Sequence, residues 1–137
     1  MRTTGTFASG TERYVIDSYA WIEYFKEAQR GIMRRSILNL RSNPSLYCFP
    51  GEVERGAETP EGADLKVDFM LSRAFEVVEL SASIALSAAR INRIMRKQRR
   101  SWGLADSMIY ATALRYRAIV VTGDEHFRDL PNVTMIK

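Results

Sequence analysis

Ala118-Ile119-Val120-Val121-Thr122-Gly123-Asp124 is an unbroken apolar run that ends in a turn carrying a carboxylate. A run without polar alternation predicts a strand covered on both faces, as in a parallel sheet. Gly123-Asp124 is the break that turns the chain. Two earlier stretches have the same form. Tyr14-Val15-Ile16 leads into Asp17-Ser18, and Leu46-Tyr47-Cys48-Phe49 leads into Pro50-Gly51-Glu52. Further strands are predicted over 75–80 and 133–136.

Helical patterns fill the intervals. Trp21, Tyr24, Phe25 and Ala28 fall on one helix face, which makes them core residues rather than a stacking platform. A second helix, over 31–41, carries Met33, Ile37 and Leu40 and stops at Asn43-Pro44. A short helix carries Glu52 and ends near Gly56. Thr59-Pro60 opens another, with Thr as its cap and Pro at its first position. A long helix over 81–99 has the stripe Ile84, Ala88, Ile91 and Met95. A mostly apolar helix follows over 104–116, and a short one over 125–129. This alternation predicts an α/β fold, a parallel five-stranded sheet between two helical layers. Residues 14–137 form one domain in this reading, and the polar segment 1–13 is a flexible leader.

The composition fits that class. A chain of 137 residues, 46% hydrophobic, buries a sizeable core without disulfides. Its single cysteine, Cys48, excludes an intrachain disulfide and a zinc knuckle, and reads as a small core residue. That usage fits a reducing compartment, and the expected location is the cytoplasm. No apolar stretch reaches the roughly 18 residues of a membrane span.

Charge is distributed unevenly. The net charge is +4, and 16 of the 20 basic residues are Arg. Between Glu52 and Glu79 eight acids face three basic residues. Between Leu80 and Ala105 there are six basic residues and no acid: Arg90, Arg93, Arg96, Lys97, Arg99 and Arg100. Such a stretch suits a solvated helix face, or the phosphates of a nucleic acid. Arg forks onto phosphate in two-point geometry. Trp102, beside Arg99 and Arg100, is the one aromatic left as an RNA-stacking candidate.

The carboxylates point to the chemistry. Asp17, Glu52 and Asp124 each follow the C-terminal end of a predicted strand, where open parallel sheets bind ligands. Asp106 stands near the start of the apolar helix over 104–116. Each has an ordinary use: Asp17 as a helix cap, Asp124 in a turn, Glu52 on the surface, Asp106 against the helix dipole. Four such accidents at one sheet edge are less economical than one acidic site. Hard divalent cations take these oxygen ligands, which makes Mg²⁺ or Mn²⁺ the expected cofactor and phosphodiester hydrolysis the expected reaction. No Gly-rich phosphate loop and no Gly-x-Ser-x-Gly elbow is present. The only histidine, His126, reads as a surface or site-rim residue.

The set of motifs resembles the PIN-domain nucleases, especially the VapC-like toxins of toxin–antitoxin pairs. The opening Val15-Ile16-Asp17-Ser18 with Trp21-Ile22-Glu23-Tyr24-Phe25 resembles theirs. So do Glu52-Val53-Glu54-Arg55-Gly56, Leu104-Ala105-Asp106-Ser107-Met108-Ile109-Tyr110-Ala111, and Val120-Val121-Thr122-Gly123-Asp124-Glu125-His126-Phe127. The resemblance runs over nearly the whole chain, in order. It implies a PIN-like three-layer α/β/α sandwich and Mg²⁺- or Mn²⁺-dependent endoribonuclease activity. It also implies a homodimer and, for the toxin branch, a VapB-like antitoxin partner. Carried over by position, the catalytic acids are Asp17, Glu52, Asp106 and Asp124. Asp17, Asp106 and Asp124 are the metal ligands, and Thr122 and Ser18 support the site. Glu52 is preferred to Glu54 because it stands four residues before Gly56. Many members carry a further Asp where this chain has His126.

The leading expectation is an RNA-cleaving toxin in which Arg93, Lys97, Arg99 and Arg100 contact RNA phosphates. The alternatives are a PIN-type RNA-processing nuclease without an antitoxin, and a catalytically silent RNA-binding scaffold.

Overall fold

Five short runs of β-formers pair in a single parallel sheet. They are β1 (Tyr14–Ile16), β2 (Leu46–Cys48), β3 (Glu76–Val77), β4 (Ile119–Thr122) and β5 (Val133–Met135), in the order β3-β2-β1-β4-β5. The computed structural model describes residues 13–17, 20, 21, 26, 46–48, 59–71 and 76–136. All four neighbouring strand pairs run parallel. From β1 the chain steps outward to β2 and β3, then returns past β1 to place β4 and β5 on its other side. The strand order therefore reverses between β1 and β4. In open α/β sheets that reversal opens the ligand crevice at the carboxyl ends of the strands.

The register fixes what meets there. Ile16 lies opposite Val121, and the Asp17 amide donates to the Val121 carbonyl at 3.0 Å. The first residue past β1 is thus brought to the last residue of β4. All four residues of β4 are buried, as the unbroken apolar run predicts.

Three helices lie wholly within the described residues: α1 (Pro60–Leu71), α2 (Ala82–Gln98) and α3 (Leu104–Tyr116). The Thr59 hydroxyl accepts from the Gly62 amide at 3.0 Å, which satisfies one orphan donor of α1. Ser81 does the same for α2, accepting from Ile84 at 3.2 Å. The predicted stripe of α2 is its packed face: Ile84, Ala88 and Met95 are buried, and Ile91 packs against them. α3 has the predicted bounds and packs against α2, β1 and β4. Its C-terminus is closed by Arg117, whose φ of 52° lies in the left-handed region. Arg13 extends the β1 ladder, its carbonyl accepting from Ile119 at 2.8 Å.

Two elements are shorter than the sequence pattern suggests. Of the strand expected over 75–80, the described residues pair at Glu76 and Val77, and 78–80 lie outside the ladder. It is a sheet edge, and the chain leaves it for the Ser81 cap. The helix expected over 125–129 is a single 3-10 turn, Glu125–Phe127, because Asp129 takes φ 66° and Pro131 follows. Ala20, Trp21 and Lys26 are helical, as predicted. The leader over 1–12, the rest of that helix, the helix over 31–41 and the short helix carrying Glu52 lie outside the described residues.

Trp102 belongs to the core. It is 3% exposed, its indole N–H donates to Ser107 Oγ at 2.7 Å, and its ring lies 5.0 Å from that of Phe127. Its place as an RNA-stacking candidate is therefore corrected: the indole is used up inside the protein. Tyr110 completes the aromatic group edge-on to both rings, and its hydroxyl donates to the Pro131 carbonyl at 3.0 Å. Burial pushes that phenol above its ordinary value of 10.0, against the opposing charge of Arg99. No helix among the described residues is long and apolar enough to cross a membrane.

Two outcomes are expected. Arg117→Gly removes a left-handed conformation that costs a side chain, and should stabilise the fold by about 1 kcal/mol in urea titration. A Tyr110 pKa raised in the folded state favours the neutral phenol. Its contribution is complete below pH 10 and is lost as pH rises through the folded value. Wild type should therefore lose more stability than Tyr110→Phe between pH 9 and pH 11, and equal losses would contradict this.

Candidate metal centre

The site is built around one hydroxyl. Thr122 is the last residue of β4 and is fully buried. Its Oγ1 donates to Asp17 Oδ2 at 2.6 Å and accepts from the Asp124 amide at 3.0 Å. One side chain thus ties the acid after β1 to the turn that carries the acid after β4. Asp17 is only 3% exposed, which is costly for a carboxylate unless it is paired or holds an ion.

Asp124 begins the 3-10 turn. Its Oδ1 accepts from the His126 amide at 2.9 Å, so its ordinary capping role is also fulfilled. Asp106 stands in the first turn of α3, where its Oδ2 accepts from the Gly103 amide at 2.9 Å. That bond closes the start of the helix and fixes the carboxylate there.

Asp106, Asp124 and His126 converge. One ligand atom from each lies within 4.8 Å of the other two. An ion with bonds of about 2.1 Å spans about 4.2 Å across, so small side-chain adjustments close this group on one ion. His126 Nδ1, a buried atom on a side chain that is 38% exposed, lies 2.8 Å from Asp124 Oδ1, ion-pair distance for a protonated ring. Two carboxylates and an imidazole nitrogen are a donor set that fits a divalent cation.

The expected residues are distributed as follows. Asp106 and Asp124 come together. Asp17 joins Asp124 through Thr122 and is not one of the three converging ligands. Glu52 and Ser18 lie outside the described residues. Arg93, Lys97 and Arg100 are exposed on or just after α2. Arg99 is half-buried, and its Nη1 donates to the carbonyls of His126 at 2.9 Å and Arg128 at 2.8 Å. That arginine holds the 3-10 turn in place. A cavity of about 650 Å³ opens beside it, with Arg96 and Arg100 in its wall. Sequence reasoning put His126 on the rim. The available signal was its place two residues after Asp124, and only the tight turn brings it back to the carboxylates.

This is an α/β fold with acidic residues at its topological switch point. The PIN-domain family model matches residues 14–133, and the chain belongs to that family. Among curated proteins none matches. Solved structures with the same fold include DNA-bound VapBC from Salmonella typhimurium, with 20% identity, TM-score 0.67, and coverage of 90% of this chain and 96% of that one. VapBC2 from Rickettsia felis, bound to a DNA fragment from its promoter, has 18% identity, TM-score 0.64, and coverage of 89% and 96%. VapBC-5 from Mycobacterium tuberculosis has 19% identity, TM-score 0.57, and coverage of 93% and 99%.

Thr122→Val leaves a buried acceptor on Asp17 and the Asp124 amide without their partner. It should cost about 1–3 kcal/mol in urea unfolding. Thr122→Ser keeps the hydroxyl and should recover most of that loss; equal destabilisation by both would assign the effect to packing instead.

Proposed function

We propose that this chain is a metal-dependent endoribonuclease and the toxin of a toxin–antitoxin pair. The observation that carries the reading is the convergence of Asp106, Asp124 and His126 beside the Thr122-linked Asp17, at the switch point of the sheet. The ion is Mg²⁺ or Mn²⁺. When bound it neutralises the acids and acidifies a water for attack on phosphorus.

The residues divide the work. Asp17, Asp106 and Asp124 hold the metal, and Thr122 keeps Asp17 and Asp124 in register. Glu52 orders the attacking water, and Ser18 supports the site. Arg93, Lys97 and Arg100 contact the RNA backbone from the end of α2. Arg99 does so with the donors left after its two carbonyl bonds. Among the described residues no carboxylate pairs with Arg93, Arg96, Lys97 or Arg100, so their charge is available to phosphates. The proposed partners are a VapB-like antitoxin and a second copy of the chain, in the cytoplasm, with residues 14–137 acting as one domain. The shared fold with chains of VapBC complexes supports the toxin reading.

The experiment is cleavage of pooled tRNA and ribosomal RNA with Mg²⁺ or Mn²⁺. Wild type should cleave, and EDTA, Asp17→Asn or Asp106→Asn should abolish the products. Persistent cleavage by Asp17→Asn would remove that residue from the machinery. Affinity for RNA should also fall steeply with salt, and less steeply in Arg93→Ala/Lys97→Ala.

A further inference from the structure

The carboxylates alone do not account for His126. Its backbone is fixed on two sides: its amide donates to Asp124 Oδ1, and its carbonyl accepts from Arg99 at 2.9 Å. The ring is therefore delivered to the acids by a braced turn rather than by a free loop. Nδ1 itself is buried and lies 2.8 Å from Asp124 Oδ1, within ion-pair reach, on a side chain that is 38% exposed. An imidazole nitrogen held against carboxylate oxygens is placed either to share a proton with them or to share an ion with them. Two ligand atoms about 2.8 Å apart are spaced like neighbours on a single ion, which for bonds near 2.1 Å lie roughly 3 Å apart.

We propose that His126 is a nitrogen ligand of the centre and that it biases the site toward first-row transition ions, Mn²⁺ among them, over Mg²⁺. This rests on the reading of Asp106 and Asp124 as metal-holding. Mg²⁺ demands oxygen donors and gives up water reluctantly. Imidazole suits the first-row transition ions, so exchanging one oxygen donor for nitrogen weakens the hold on Mg²⁺ relative to them. Asp106 and Asp124 supply the oxygens, and His126 supplies the discrimination. Arg99 does not reach the ion; it is a positioning residue that keeps the His126 turn closed.

The chain has a single histidine, so any imidazole signal from a bound ion belongs to His126 without further assignment. The test loads the full chain with Mn²⁺ and reads ¹⁴N coupling by pulsed electron paramagnetic resonance. Mn²⁺ and Mg²⁺ affinities are measured by competition in the same samples. Wild type should show imidazole coupling. His126→Asp, checked for fold by circular dichroism, should lose the coupling and should lower the Mn²⁺-over-Mg²⁺ preference by about tenfold or more. Mn²⁺ bound without imidazole coupling, at a preference unchanged in His126→Asp, would overturn histidine ligation. If that binding still disappeared in Asp106→Asn, the carboxylate centre would stand. Failure of wild type to bind Mn²⁺ at all would overturn both.

Discussion

The Thr122 hydroxyl is the point on which the site depends. It donates a hydrogen bond to Asp17 at 2.6 Å and accepts one from the Asp124 amide at 3.0 Å. Hydrogen bonds to charged groups contribute about 1.5–3 kcal/mol when buried, well above the neutral kind. The larger effect is geometric. β1 and β4 are neighbours in the sheet, and this bond locks their carboxyl ends at the depth where the acids stand. Parallel pairing sets the register to within a residue, and the threonine sets the side chains.

A second brace holds the other end of the same turn. Arg99, at the end of α2, caps two carbonyls of the segment that carries His126. Phe127, fully buried in that segment, packs on Trp102. The residues between α2 and α3 therefore support the turn through an aromatic contact and a guanidinium together. Asp17 is buried and Asp106 and Asp124 are half-buried against this packed core, which is the condition for holding donor atoms close.

Much of the fold could be read from residue types and spacing. The apolar run of β4, the stripe of α2, the Ser81 and Thr59 caps and both ends of α3 all rest on local patterns. So does the placement of Asp17 and Asp124 at strand ends. What escaped reading is directional. Arg99 stands in a basic stretch, and nothing in its neighbours shows that its guanidinium turns inward to carbonyls 27 and 29 residues away. Trp102 follows Arg99 and Arg100 closely in sequence but lies inside the aromatic core in space. His126 looks peripheral until the turn folds it back on Asp124. Each depends on contacts between distant segments, which periodicity does not encode. β3 was overestimated because an apolar run does not show where edge pairing stops.

The Asp17–Thr122 bond joins residues 105 positions apart. During synthesis the chain is made from its N-terminus, so Asp17 leaves the ribosome long before its partner exists. Asp106 precedes that partner, Asp124 and His126 follow it, and the arginine brace needs Arg128. The acidic centre therefore cannot assemble before the chain has been made through Arg128, and a product that stops short of Thr122 carries Asp17 without its register. The sheet order that puts the first and fourth strands side by side makes the site wait for the fourth strand.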